Sequence, residues 1–574
     1  MRNYQKRPFV EAGGKIITGW KPVADHIQTL LRQHAVIGID CYTGVLLDEL
    51  KTILRQDTNL TLIDAGSVYK SEEVIREMTS PFTTDDVLFG YMTPLCITDY
   101  FDQQKLAEVR GELQASHKPV LILGSGAACI AECDVLVYAD MPRWELQLRM
   151  RRGLVSGLGL DDRNEPLATQ YKRGLFNDWR VLDKHKQQLY EQVDFWLDTT
   201  CLDLPKIIDR DTFKAGLQKA VHMPFRVVPF FDPAPWGGQW MKEHFQLDGT
   251  EPNYGWCFDC VPEENSFILK VSGIEFEMPA VNLVYYKSRE LLGEPVEARF
   301  GKEFPIRFDF LDTMEGGNLS LQVHPTVDFA HKNFGLSYTQ DESYYLLEAG
   351  EGAAVYLGLK SGIDRNDMLS HLQKAQEYED FIFDAEQFVN KFPAKKHDHF
   401  LIPAGTIHCS GKNTMVLEIS ATPFIYTFKL WDWGRLGLDG LPRPMNIERG
   451  KQVINWERDT HFAESQLVNR IEVVGRGEGW VEECTGLHRN EFIETRRHTF
   501  HTVVFHETGD SVNVLNLVDG EEIIVESTNH LFEPVIMRYA ETFIVPAAVK
   551  SYSIRPHGPS AGKVCTTIKA LIRN

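Results

Sequence analysis

The sequence is poor in the features that mark membrane, secreted and nucleic-acid-binding chains. No run approaches the roughly 18 uninterrupted apolar residues that a membrane-spanning helix requires. The opening residues MRNYQKRPFVEAGG hold no apolar stretch of signal-peptide length. A cytoplasmic location is therefore expected, with no membrane partner. Ten cysteines among 574 residues are too few and too scattered for a disulfide scaffold, which fits a reducing compartment. Cys257 and Cys260 form a CxxC pair, but no second pair or histidine at ligand spacing accompanies them, so they read as ordinary thiols rather than a metal or redox site. Basic charge is also short. Sixty Lys plus Arg stand against eighty-one Asp plus Glu, a net charge of −21, and that field repels phosphate backbones and anionic lipid. Nucleic acid is not an expected partner. Low-complexity tracts and short-period repeats are missing as well.

What remains is an ordinary globular composition, 43% apolar and 25% charged, in a chain long enough for several domains. From about residue 15 to 200, short β-branched runs alternate with longer amphipathic stretches: AVIGID (35–40), LTLID (60–64), DVLFGY (86–91), PVLIL (119–123) and DVLVYAD (134–140). This rhythm predicts an α/β domain with a mainly parallel sheet. From about 225 the strand signals crowd together between Gly, Asn and Pro turns, as in NLSLQVH, YYLLEAG, AAVYLGL, HFLIPAG and MVLEIS. That texture predicts antiparallel β structure, a sandwich or barrel. DRNDMLSHLQKAQEY (364–378) interrupts it as a helical insertion, with Asp364 placed to cap. A third block from about 455 repeats the β texture. HFLIPAGTIHCS (399–410) and TFIVPAAVKSYS (542–553) share a strand, a Pro-Ala turn and a second strand, so two tandem barrels of one type are expected. The division is an α/β domain over 1–215, a metal-binding barrel over 216–454 and a metal-free barrel over 455–574.

Chemistry concentrates in Leu319-Ser320-Leu321-Gln322-Val323-His324-Pro325. On a β-strand, Gln322 and His324 are two residues apart and project from one face. Glu342 follows at the head of SYYLLEA, and His408 follows the turn Pro403-Ala404-Gly405. Two imidazoles, a carboxylate and an amide oxygen suit a borderline divalent ion such as Zn²⁺, with a position open to substrate or water.

FPIRFDFLD, LSLQVHP, the glutamate ahead of SYYLL, LIPAGTIH, MVLEIS and FKLWDWGRLGLDGLPRPMNIERGKQVI together resemble the type I mannose-6-phosphate isomerases, zinc enzymes with a double cupin fold. The likeness runs from about Pro224 to Asn574 and begins with PAPWGGQWMKE (233–243). It implies one Zn²⁺ per chain held by Gln322, His324, Glu342 and His408, and a small sugar or sugar phosphate as substrate. It places Arg435 of WDWGR in the active site as a catalytic residue. Glu418 matches the family's glutamate in its LEI segment, as an acid/base candidate or as a group that orients a ligand. Aldose–ketose exchange moves a proton between adjacent carbons through an enediol, so an acid/base group and a stabiliser of oxygen charge are both needed.

Two lysines that the family commonly carries are replaced by Asp309 and Gln340. Both changes remove positive charge that would meet a phosphate bearing about −1.5 to −2. Lys287, Arg307, Lys412 and Lys429 are candidate replacements. The alternative function is a sugar-binding or regulatory cupin that keeps the metal without turnover.

In the first domain, AVIGID and then Cys41-Tyr42-Thr43-Gly44 stand where a P-loop kinase places its phosphate-binding turn, but the Gly-Lys-Ser/Thr is missing. VYADMPRWELQLRMRRG (137–153) is similar to the late strand and lid region of uridine-kinase-like proteins, implying a degenerate kinase fold without ATP phosphoryl transfer. Gly124-Ser125-Gly126 reads as a tight turn, with anion binding at a helix start as the other option.

Overall fold

The computed structural model describes residues 4–55, 59–378, 380–421, 426–488 and 491–573. A seven-stranded sheet forms the amino-terminal third. Its parallel core runs Thr61–Asp64, Val120–Gly124, Val36–Cys41, Val135–Asp140 and Phe195–Asp198, with Lys206–Asp209 and Ile16–Thr18 added antiparallel at one edge. The central strands are continuous apolar runs because helices cover both faces. Val135–Asp140 is buried at every position. Taken in chain order, the parallel strands stand 2-3-1-4-5, and the connections leaving the first and third diverge to opposite sides.

DVLFGY does not form the expected strand. Residues 86–91 are a loop, because the Asp86 carboxylate accepts from the Leu88 and Phe89 amides and so closes a local turn that competes with sheet pairing. Asp86 also pairs with Arg449 at 2.7 Å, and the turn delivers Phe89 into the β region, where it packs on Phe334, Tyr426 and Phe428.

The following strands build two two-sheet units. In the first, a six-stranded sheet runs His399–Ile402, Glu342–Ala349, Thr414–Ser420, Arg307–Asp312, Trp256–Cys260 and Phe230–Asp232. It faces a five-stranded sheet of Val389–Pro393, Ala354–Leu359, His408–Ser410, Leu321–Val323 and Phe428–Trp431. The second unit pairs a six-stranded and a four-stranded sheet between Glu472 and Ile572. Helix Arg365–Glu377 interrupts the first unit, and the Asp364 side chain accepts from the Asp367 amide as its cap. Near the amino terminus, Val10–Ala12 runs parallel to Ser266–Val271, which with Ile274–Pro279 makes a separate three-stranded sheet. Cys257 and Cys260 are buried free thiols on one strand. No described helix is long and apolar enough to cross a membrane.

Candidate metal centre and active site

The two sheets of the first β unit meet over a fully buried cluster. Leu321–Val323 and His408–Ser410 are adjacent antiparallel strands with Gln322 opposite His408. His324 follows the first of them, while Glu342 opens a strand of the facing sheet. The ligating atoms of His324, Glu342 and His408 all lie within 4.8 Å of one another. Glu342 Oε2 is 3.1 Å from His324 Nε2, and its Oε1 is 2.9 Å from His408 Nε2. The Gln322 amide nitrogen lies 3.2 Å from His408 Nε2, so all four side chains expected from sequence come together.

Backbone carbonyls fix both imidazoles. His324 Nδ1 is 2.8 Å from Tyr426 O and His408 Nδ1 is 2.9 Å from Thr406 O, which puts the proton on Nδ1 and turns each Nε2 lone pair to the centre. His324 Nε2 and Glu342 Oε1 are buried without a hydrogen-bond partner. Orphaned acceptors aimed at one point fit a divalent cation, and no such cost would be carried in an apolar core.

Above the cluster opens a cavity of about 380 Å³ whose wall includes Gln322, Gln340, Asp309, Glu418, Lys429 and Arg443. The Gln340 amide donates to Glu342 Oε2 at 2.8 Å and approaches Glu418 Oε1 at 3.5 Å, linking the ligand cluster to the cavity. Asp309 and Glu418 are register partners on adjacent strands, and Arg307 Nε lies 3.1 Å from Asp309 Oδ2. Burial, opposed by Arg307, pushes Asp309 up to about 7. Burial and then the neighbouring Glu342 and Asp309 charges push Glu418 well above its ordinary value. Two like charges in one buried site do not both ionise cheaply. Two carboxyls of raised pKa thus stand beside the cation-binding cluster.

Of the four cations considered as replacements, Arg307 and Lys429 line the cavity. Lys287 instead bonds Gln218 and Glu290, and Lys412 sits on an exposed turn. Burial, aided by Arg443, lowers Lys429 to about 8. Arg443, which sequence reading passed over, also faces the cavity, reaching Ser320 Oγ at 3.1 Å and Asp432 Oδ2 at 2.6 Å. Arg435 does not line it: its guanidinium grips Asp432 Oδ1, with Nε at 3.0 Å and Nη2 at 2.5 Å. The signal for Arg443 was the same charge-rich loop that yielded Arg435, eight residues earlier.

In the α/β unit, the turn after Val36–Cys41 is tied to the helix that carries Arg149. Arg149, fully buried, donates to Gly44 O at 2.9 Å. The turn at Gly124-Ser125-Gly126 is closed from within. Asp40 accepts from the Gly126 and Ala128 amides at 3.1 and 2.9 Å and pairs with His185 at 2.9 Å, taking the place an external anion would fill.

A family model described only as a domain of unknown function, DUF8485, matches residues 19–222. The probable mannose-6-phosphate isomerase GmuF of Bacillus subtilis (strain 168) is 26% identical over 257 residues, 44% of this chain and 75% of that protein. The mannose-6-phosphate isomerase of Streptococcus mutans is 28% identical over 223 residues, 38% of this chain and 64% of that one. A crystal structure of the mannose 6-phosphate isomerase from Bacillus subtilis aligns with 60% of this chain and 99% of its own at 18% identity, with a TM-score of 0.49. The curated relatives support an isomerase-like enzyme, over less than half of this chain.

Proposed function

We propose that the chain is a Zn²⁺-dependent aldose–ketose isomerase for a sugar phosphate of the mannose 6-phosphate class. In this reading residues 216–454 form the catalytic cupin, 455–574 a metal-free cupin, and 1–215 a degenerate kinase-like domain. The observation that carries it is the convergence of His324, Glu342 and His408 beneath a cavity that also holds raised carboxyls and cations. Gln322, His324, Glu342 and His408 would hold one Zn²⁺ per chain, which would act as a Lewis acid on the sugar's oxygens. Glu418 has the position and the raised pKa to carry a proton between adjacent carbons near neutral pH. Gln340 holds Glu418 and Glu342 in a fixed relation. Lys429 and Arg443, with Ser320, supply the charge-assisted contacts for a phosphate that Asp309 and Gln340 do not. Arg435 serves through Asp432, the carboxylate it shares with Arg443.

A second reading, a sugar-binding protein without turnover, has Asp309 in its favour, since a carboxyl stands where the resembling family has lysine. The test is an isomerisation assay of the zinc-loaded protein against phosphorylated and free sugars. Mannose 6-phosphate is expected to turn over, with kcat/KM up to roughly 10⁴ M⁻¹s⁻¹. Full zinc loading with no turnover of any sugar would overturn the enzyme reading.

A further inference from the structure

The cavity over the metal-type cluster is not built by the β unit alone. One side is contributed by the α/β unit, through Phe89, Gln147, Tyr171 and Phe176. This wall is pinned rather than loosely apposed. Arg151 forms a two-pronged ion pair with Asp232 at 2.7 and 2.8 Å, and Gln147 donates to Glu264 at 2.6 Å. The Arg449 guanidinium sits 5.7 Å from the ring centres of both Phe89 and Phe334. The Met92 amide donates to Phe334 O at 3.0 Å.

Beside the charges already described, the cavity wall carries an aromatic group: Phe230 and Phe258 stack at 5.8 Å, Trp256 and Phe258 stack at 5.8 Å, and Trp236 meets Trp256 edge-on. The α/β unit adds Tyr171 to the same cavity wall, 36% exposed and held edge-on to Trp179 of its own unit at 5.3 Å. Such a ring surface is available to a ligand. A sugar ring in its closed form has one face of C–H groups, which loses little by leaving water and gains by lying on an aromatic ring. An open-chain polyol presents no such flat apolar face.

We propose that the amino-terminal α/β domain is part of the sugar site, with Tyr171 a specificity-determining residue that stacks on the ring form of a phosphorylated sugar. The inference rests on the isomerase reading for its ligand class, but its test reads binding and not turnover. The probes are glucose 6-phosphate, a ring, and glucitol 6-phosphate, an open chain with the same phosphate. Affinities for the zinc-loaded full chain are measured by calorimetry. The wild type is expected to prefer the ring by about fivefold, the range of one aromatic contact. Tyr171→Ala should bring the preference below about twofold, and Tyr171→Phe, which keeps the ring and loses only the hydroxyl, should retain it. Thermal melting of each variant checks that it is folded. A preference that survives Tyr171→Ala overturns the proposal, and so does a wild type that binds neither probe or binds both equally. Turnover of mannose 6-phosphate is scored separately. A ring preference that depends on Tyr171 without any turnover would leave this inference standing while removing the isomerase.

Discussion

The turn after Ile402 and the turn after Val545 are built alike, a strand, Pro-Ala and a second strand, yet the space behind them is filled with opposite chemistry. In the first β unit the second strand opens on His408, and its imidazole joins a carboxylate and a second imidazole. In the second unit the corresponding stretch is Lys550-Ser551, and Lys550 turns outward to Asp510. The interior there holds His498 on Glu482 at 3.0 Å, with Lys569 Nζ 3.5 Å from His506 Nδ1. Burial lowers Lys569 to about 8 and drops His506 well below the ordinary imidazole range, with Lys569 adding to the effect. A lysine inside the second unit already supplies positive charge. In the first unit the cations Arg307, Lys429 and Arg443 line the neighbouring cavity, and among the described residues no Lys or Arg forms an ion pair with the His324–Glu342–His408 acceptors, which is the physical difference between a site prepared for a metal and a core that has satisfied itself.

The largest effect expected from this contrast is on metal content. His324→Ala with His408→Ala should reduce bound zinc from about one per chain to near zero and abolish isomerisation. His498→Ala with His506→Ala should leave the zinc in place. Metal analysis by mass spectrometry decides it, and equal zinc in both double variants would erase the distinction between the units.

Next comes the carboxyl over the cluster. Glu418→Gln should lower kcat by about 10² to 10⁴ with zinc content unchanged. A variant that loses zinc and keeps the kcat of its remaining loaded fraction would make Glu418 a ligand-orienting group instead. Smaller again is the phosphate end: Lys429→Met or Arg443→Met should raise KM for a phosphorylated sugar by about tenfold or more, with less change in kcat. Equal effects on free and phosphorylated sugars would show that these cations do not meet the phosphate.

A further expected effect is on stability. Asp309 is raised by burial from 3.8 to about 7 in the folded chain, so its protonated form is favoured by folding. That contribution is fully present below the unfolded value and is lost as pH rises through the folded one. Relative to Asp309→Asn, the wild type should lose up to about 1.4 kcal/mol of unfolding free energy per pH unit between about pH 4 and 7. Urea melts across that range test it, and parallel curves for the two proteins would place the proton elsewhere.

Much of this site was legible because a β-strand alternates its side chains. Gln322 and His324 had to share a face, and the Pro-Ala-Gly turn had to present His408 near a strand start. The parallel strands of the α/β unit were legible for a similar reason, since strands covered on both faces read as unbroken apolar runs. DVLFGY misled because its composition suits a strand while one carboxylate, Asp86, satisfies two of its amides locally. Arg435 and Arg443 could not be told apart by type or spacing. Which of two neighbouring guanidinium groups faces the cavity depends on how both share Asp432.

The sequence by itself determined which residue types could form the cluster, the change of texture from α/β to antiparallel β, and the lack of a kinase lysine, because these depend on local periodicity and chemical identity. Only the tertiary structure decided that Glu342 would cross from the facing sheet to meet both imidazoles. It alone placed Lys429 and Arg443, rather than Lys287 or Lys412, on the cavity wall. It also brought Tyr171 of the α/β unit to the same cavity as aromatic side chains of the β unit more than fifty residues further along the chain. Contacts of that kind are set by how separately folded layers dock, and no short-range pattern records the docking.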